Sequence, residues 1–176
     1  MSTRSSRSKG GRFTMMELAI AFALGGSLLA VTLPAFVREI HASRFVEPVD
    51  GLKRLGSSAI AYARTRPIAQ AFPAPAPLTP GMPPRGHCEA DAPNAWDHPT
   101  WRALEFLPVS PGVPHCFAFA FDSSTSPARS LFRAHAHADL DGDGLLSTFE
   151  VTGEYVDGDA RGAVLDPGMF IDSEVE

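Results

Sequence analysis

The hydrophobic pattern changes character three times along this chain. From Leu18 to Val37 there are 20 residues without a charge, long enough as a helix to cross a hydrocarbon core of about 30 Å. Beyond Arg38 the apolar residues retreat to one stripe. Phe45, Val49, Leu52, Ala59 and Ala63 recur at three- to four-residue intervals, with Leu55 and Tyr62 on the border. That spacing predicts an amphipathic helix with one buried face. Pro48 lacks a backbone donor, so it bends this helix or marks its restart. If continuous, a helix from Phe13 to Thr65 would run roughly 80 Å. Seven prolines between Pro67 and Pro84 then exclude regular helix or central strand and predict a connector, stiff in places.

After the connector the period becomes two. Cys116-Phe117-Ala118-Phe119-Ala120-Phe121 alternates strictly, which predicts a strand whose three phenylalanines face the apolar stripe of the helix. Leu131 to Ala138 alternates as well, with Arg133, His135 and His137 on one side, and Phe149, Val151 and Tyr155 suggest a further strand. The expected fold is α+β, a long N-terminal helix packed on a small antiparallel sheet of three to four strands. Asp97 and Pro99 suit the opening of a short helical turn. Near it, Trp96, Trp101, Leu104 and Phe106 read as core beneath a surface loop, although paired tryptophans also suit a sugar.

Length and charge narrow the picture. One domain plus an N-terminal anchoring element accounts for 176 residues. Arg4, Arg7, Lys9 and Arg12, with no acid among the first twelve residues, turn an overall charge of −5 into −9 for the remainder. An acidic body argues against nucleic acid as the main partner. A basic leader ahead of an apolar run keeps the leader in the cytoplasm and places the body outside the membrane. In that oxidising compartment Cys88 and Cys116 read as one disulfide. A zinc site built on His87-Cys88 and His115-Cys116 is the rival, without the two-residue gap that lets neighbouring ligands wrap one ion.

Glu17 stands just inside the leading edge of the apolar run. A charge there costs on the order of 2 to 3 kcal/mol, so it needs a partner or a purpose. A cleaved signal peptide, with Ala30 or Ala35 near the cut, and a plain anchor both leave it unexplained. Gly11-Arg12-Phe13-Thr14-Met15-Met16-Glu17-Leu18 resembles the processing motif of type IV pilins and pseudopilins, and Pro34 stands where that family places a helix-bending proline. The resemblance implies removal of the leader 1–12 by a prepilin peptidase and N-methylation of Phe13. It implies a transmembrane and assembly helix over 13–37, its amphipathic half over 38–66, the connector over 67–87 and a β head over 88–176. It implies pairing of Glu17 with the Phe13 amine of a neighbouring subunit, which offsets the burial of both charges. The implied partners are other pilin subunits, in a homo- or hetero-polymer, and the bacterial inner membrane. The head would lie in the periplasm and later in a pilus or a type II secretion pseudopilus. The family's peptidase favours Gly before the cut, and here Arg12 intervenes. A cut after Arg12 keeps the Glu17 register; one after Gly11 leaves an extra residue.

One motif carries metal chemistry. Asp139, Asp141, Asp143, Leu145, Ser147 and Glu150 occupy the ligand positions of a twelve-residue EF-hand loop, with Gly144 at the sharp turn. Flanks that alternate like strands do not suit an EF-hand, and Gly153 would stop an exit helix. The segment therefore reads as a turn between strands, either holding calcium with part of the EF-hand set, Glu150 being the least secure ligand, or as a solvated hairpin. Calcium sites near the C-terminus of pseudopilins, as the resemblance suggests, favour the first. His135 and His137 read as a solvent-facing pair. No nucleophile elbow, phosphate-binding glycine loop or zinc-protease helix is present, so no enzyme is expected. A membrane-tethered calcium-binding module that never polymerises is the alternative to a pilin.

Overall fold

The computed structural model describes residues 14–173. It divides into two compact units, Met1–Ile40 and His41–Glu176, each taken by itself below.

Helix α1 spans Met15–Arg44 and α2 spans Val46–Ala63. The interruption at Phe45 follows from Pro48, which has no N–H to offer the carbonyl four residues back, that of Arg44. Phe45 itself keeps right-handed helical dihedrals, φ −76° and ψ −15°. The helix therefore restarts two residues before the proline.

The second unit is an α2-covered sheet. Its strands are β1 (Ala76–Thr79), β2 (Ala118–Thr125), β3 (Arg129–Ala138), β4 (Ser147–Val156), β5 (Ala163–Leu165) and β6 (Phe170–Asp172). The order is β1-β2-β3-β4-β5, with β6 also on β4, and every pairing is antiparallel. Six strands exceed the three to four expected. The three long ones are those whose alternation is plain in the sequence. The added ones have three or four residues each, too short for a period to show. β1 lies inside the proline-rich connector, and its edge position is where a strand tolerates Pro77.

Phe117, Phe119 and Phe121 are wholly buried, as are Leu52 and Leu55 of α2. The buried face of α2 runs through Pro48, Gly51, Leu52, Leu55, Gly56, Ala59 and Ala63. It is turned toward Leu55 relative to the expected stripe, leaving Phe45 and Val49 only half-buried. Gly51 gives the reason, since a Cβ there would lie 2.7 Å from the Phe119 ring. The two glycines let the helix backbone settle onto the sheet. Gly153 does the same inside the sheet, where a Cβ would meet the Phe132 ring at 2.3 Å. Phe132 in turn stacks on Phe121, centroids 5.5 Å apart, and meets Phe72 edge-on at 4.9 Å.

The short helix α3 spans Pro99–Ala103 with Pro99 in its first turn. Trp101 is 1% exposed, and its indole N–H donates to Thr79 Oγ1 at 2.9 Å, so this tryptophan belongs to the core.

Candidate functional site

The turn between β3 and β4 brings Asp139, Asp141 and Asp143 together, with a carboxylate oxygen from each lying within 4.8 Å of the others. Left-handed backbone at Gly142 (φ +87°) and Gly144 (φ +94°) folds the turn back on itself. Asp139 is 2% exposed. Its two oxygens accept the N–H groups of Gly142 (2.8 Å) and Gly144 (3.2 Å), and Arg85 Nε lies 3.8 Å away. Asp141 and Asp143 are exposed, and each accepts one loop N–H through its Oδ1, from Asp143 and Leu145 respectively. Arg85 and Gly86 back the turn, since Gly86 N–H donates to the Asp139 carbonyl at 2.8 Å.

The rest of the EF-hand set is placed elsewhere. Glu150 lies on β4 opposite His135, with Arg133 Nε at 3.3 Å and His135 Nδ1 at 3.4 Å. Ser147 is buried at the start of β4. The strand geometry carries Glu150 onto the sheet's outer face, whereas an exit helix would swing it back toward the turn. The donor chemistry fits calcium for the three aspartates and lacks the bidentate closing carboxylate.

His135 and His137 share that outer face with parallel rings, centroids 5.8 Å apart. His135 also reaches Asp122 at 3.2 Å, and His137 bonds Thr148 Oγ1 at 3.0 Å. Burial and the neighbouring His135 hold the His137 pKa below its ordinary value, against the opposing Ser147 backbone and Glu150. These are half-buried, satisfied side chains.

Cys88 and Cys116 form a disulfide, worth roughly 3 to 4 kcal/mol for a loop of this size. Beside it lies an ionic node with no signature in the sequence. His115, 4% exposed, places Nδ1 2.8 Å from the Phe117 carbonyl and Nε2 2.8 Å from Asp91 Oδ2, with Glu47 Oε1 3.6 Å from Nδ1. Both ring nitrogens face oxygen acceptors, so each carries a proton. Burial would lower the pKa of this ring, but bonding to Glu47 and Asp91 outweighs it and raises the value to about 9. Glu47 also accepts the N–H groups of Cys116 (3.1 Å) and Phe117 (2.9 Å). The node ties the first turn of α2 to the start of β2 and to the loop holding Asp91. Residues 47, 91 and 115 are too far apart in the chain for any spacing rule to find.

In the N-terminal helix, Met15–Pro34 is long and apolar enough to span a membrane, and none of it is buried within the chain. Glu17 Oε2 accepts the backbone N–H of Thr14 (2.8 Å) and its hydroxyl (2.9 Å), while Thr14 Oγ1 accepts Glu17 N–H at 3.3 Å. This is a capping box, Thr14-x-x-Glu17, a signal present in the sequence but unused there. The carboxylate thus has a local task at the helix start. Pro34 sits inside α1. Gly11, Arg12 and Phe13 lie outside the described residues. No family model, curated protein or solved structure matches this chain.

Proposed function

We propose that the protein is a type IV pilin-like structural subunit, made in the bacterial inner membrane and polymerised through its N-terminal helix into a pilus or type II secretion pseudopilus. One observation carries the reading: a carboxylate in the first turn of an apolar helix of which Met15–Pro34 is unburied within the chain. In lipid or in a filament core, the capping hydrogen bonds and the helix dipole offset part of the cost of that charge, and a positive partner would offset the rest. A free α-amine at Phe13 of a neighbouring subunit has the right charge, and pairing would penalise any slipped register. The capping box supports the same geometry, because it holds the carboxylate at the helix end where such an amine would lie. The body would stand in the periplasm, where the Cys88–Cys116 bridge persists.

Mass spectrometry of the N-terminus from membranes and sheared filaments tests the reading. The expected product begins at Phe13 and carries an N-methyl group. An intact Met1 would leave the second reading, a tethered calcium-binding module that does not polymerise. The convergence of Asp139, Asp141 and Asp143 favours calcium in either case. Calorimetry on the full chain would then show calcium binding that Asp139→Asn and Asp141→Asn abolish and Glu150→Gln leaves within about threefold. No heat at millimolar calcium would remove the metal from both readings.

A further inference from the structure

A cavity of about 670 Å³ opens in the body between residues 91–97 and 105–113. Its floor is aromatic. Trp96 is half-buried, with its ring centroid 5.4 Å from Trp101 and 5.8 Å from Phe106. Leu107 and Val113 offer exposed apolar walls. Three carboxylates, Asp91, Asp97 and Glu105, line it against one cation, Arg102, and that guanidinium already pairs with Asp97 at 2.8 Å.

Both sides of the cavity are held in place by the fold. The first loop is fixed by the disulfide, by paired backbone bonds between Glu89 and His115, and by the Asp91–His115 contact. Asp91 Oδ2 also accepts the Trp96 indole N–H at 2.5 Å, which sets the ring's orientation. The second loop is clamped by Arg54, whose guanidinium donates to the carbonyls of Leu107 (3.1 Å) and Pro108. A ligand need not order this site.

Glu105 indicates the ligand's class. Helix α3 ends in a Schellman motif, Phe106 N–H to Trp101 O at 2.9 Å and Glu105 N–H to Arg102 O at 3.2 Å, which puts Glu105 at φ +50°. Glycine is the ordinary occupant of that position because a Cβ is disfavoured there. A glutamate instead presents an exposed carboxylate at the cavity lip, without a hydrogen bond or ion pair among the described residues.

We propose that this cavity binds a small organic cation, an alkylammonium or guanidinium group, seated on the Trp96 ring with Glu105 as counter-charge. The aromatic face attracts a cation through its quadrupole, and the apolar walls suit flanking methyl or methylene groups. Among the described residues, Glu105 is the lining carboxylate left without a partner once His115 engages Asp91 and Arg102 engages Asp97. A neutral sugar would use the Trp96 face and donate its hydroxyls to Glu105, but it would gain nothing from the net negative charge there, so glucose serves as the competing ligand in the test. The inference is independent of whether the chain polymerises.

Both tryptophans of the chain line the cavity, so intrinsic fluorescence reports occupancy. The full chain in a nonionic polyoxyethylene detergent is titrated with choline, arginine amide, 3,3-dimethylbutanol (the uncharged analogue of choline) and glucose. Saturable change is expected with choline or arginine amide, at least about fivefold tighter than with the neutral alcohol. Glu105→Gln weakens cation binding by about fivefold or more. Glu105→Gly weakens it equally while raising the melting temperature by about 2–4 °C, because the left-handed residue loses its Cβ penalty. Equal response to the alcohol, selective response to glucose, no saturation by either cation up to about 50 mM, or unchanged affinity in Glu105→Gln would each overturn the proposal.

Discussion

The apolar stretch of α1 and the buried face of α2 are built from the same kinds of residue and meet opposite fates. Across Met15–Pro34 none of the helix is buried within the chain, and Phe22 and Val31 are each more than 70% exposed. In α2 a single face is apolar, and seven of its residues are buried against the sheet. The difference lies in arrangement. A helix apolar all round needs an apolar medium on every side, whereas a striped one needs a single partner, and this chain provides that partner as β3, β4 and β5, with the Phe119 ring of β2 beneath Gly51. A helix that is long, apolar and exposed over Met15–Pro34 directs attention to an apolar medium.

The contrast can be broken most directly with two phenylalanines. Phe119→Ala removes a ring packed on Gly51 and Phe106 and is expected to cost about 3–5 kcal/mol in urea unfolding of the body. Phe22→Ala, truncating an equal ring that is 74% exposed, should change that unfolding by less than about 0.5 kcal/mol. Similar losses would overturn the contrast between the two rings. Next in size is the disulfide. Cys88→Ser with Cys116→Ser should lower body stability by about 3–4 kcal/mol and leave membrane extraction of the chain unchanged.

The third test uses pH. The His115 pKa lies at about 9 in the fold against an ordinary 6.5, so its contribution is complete below pH 6.5 and disappears as pH rises through about 9. Urea midpoints should fall over that window by the equivalent of about 2 kcal/mol, and the slope should vanish in His115→Gln. A flat profile in the parent chain would show that the ring is not held as an imidazolium. The smallest predicted loss from a removed interaction belongs to the start of α1. Glu17→Ala should cost the helix start about 1 kcal/mol, read as lost amide protection over residues 14–18, while Glu17→Gln retains the cap. If Glu17→Gln nonetheless impairs filament yield as much as Glu17→Ala, the charge and not the cap is what assembly uses.

The elements legible in the sequence are those with enough repeats of a period. The apolar run spans five helical turns. The alternation of Cys116–Phe121 and Leu131–Ala138 is long enough to show a period of two; Ala118–Phe121 of the first lies in β2 and the whole of the second in β3, and the two strands pair in register. β1, β5 and β6, at three or four residues, carry no such signal. The acidic loop was legible as a motif but not in its reach. Only the strand pairing of β4 reveals that Glu150 faces His135 and Arg133 while the three aspartates converge without it.

Periodicity is a local property, so the chain alone determined which segments are helix and strand, which faces are apolar, and that an acid heads the exposed helix. Contacts between residues dozens of positions apart follow no local rule. The Glu47–His115–Asp91 node, the seating of Gly51 on Phe119 and the aromatic cavity beside Glu105 arise from how the elements pack, and only the tertiary structure decided them.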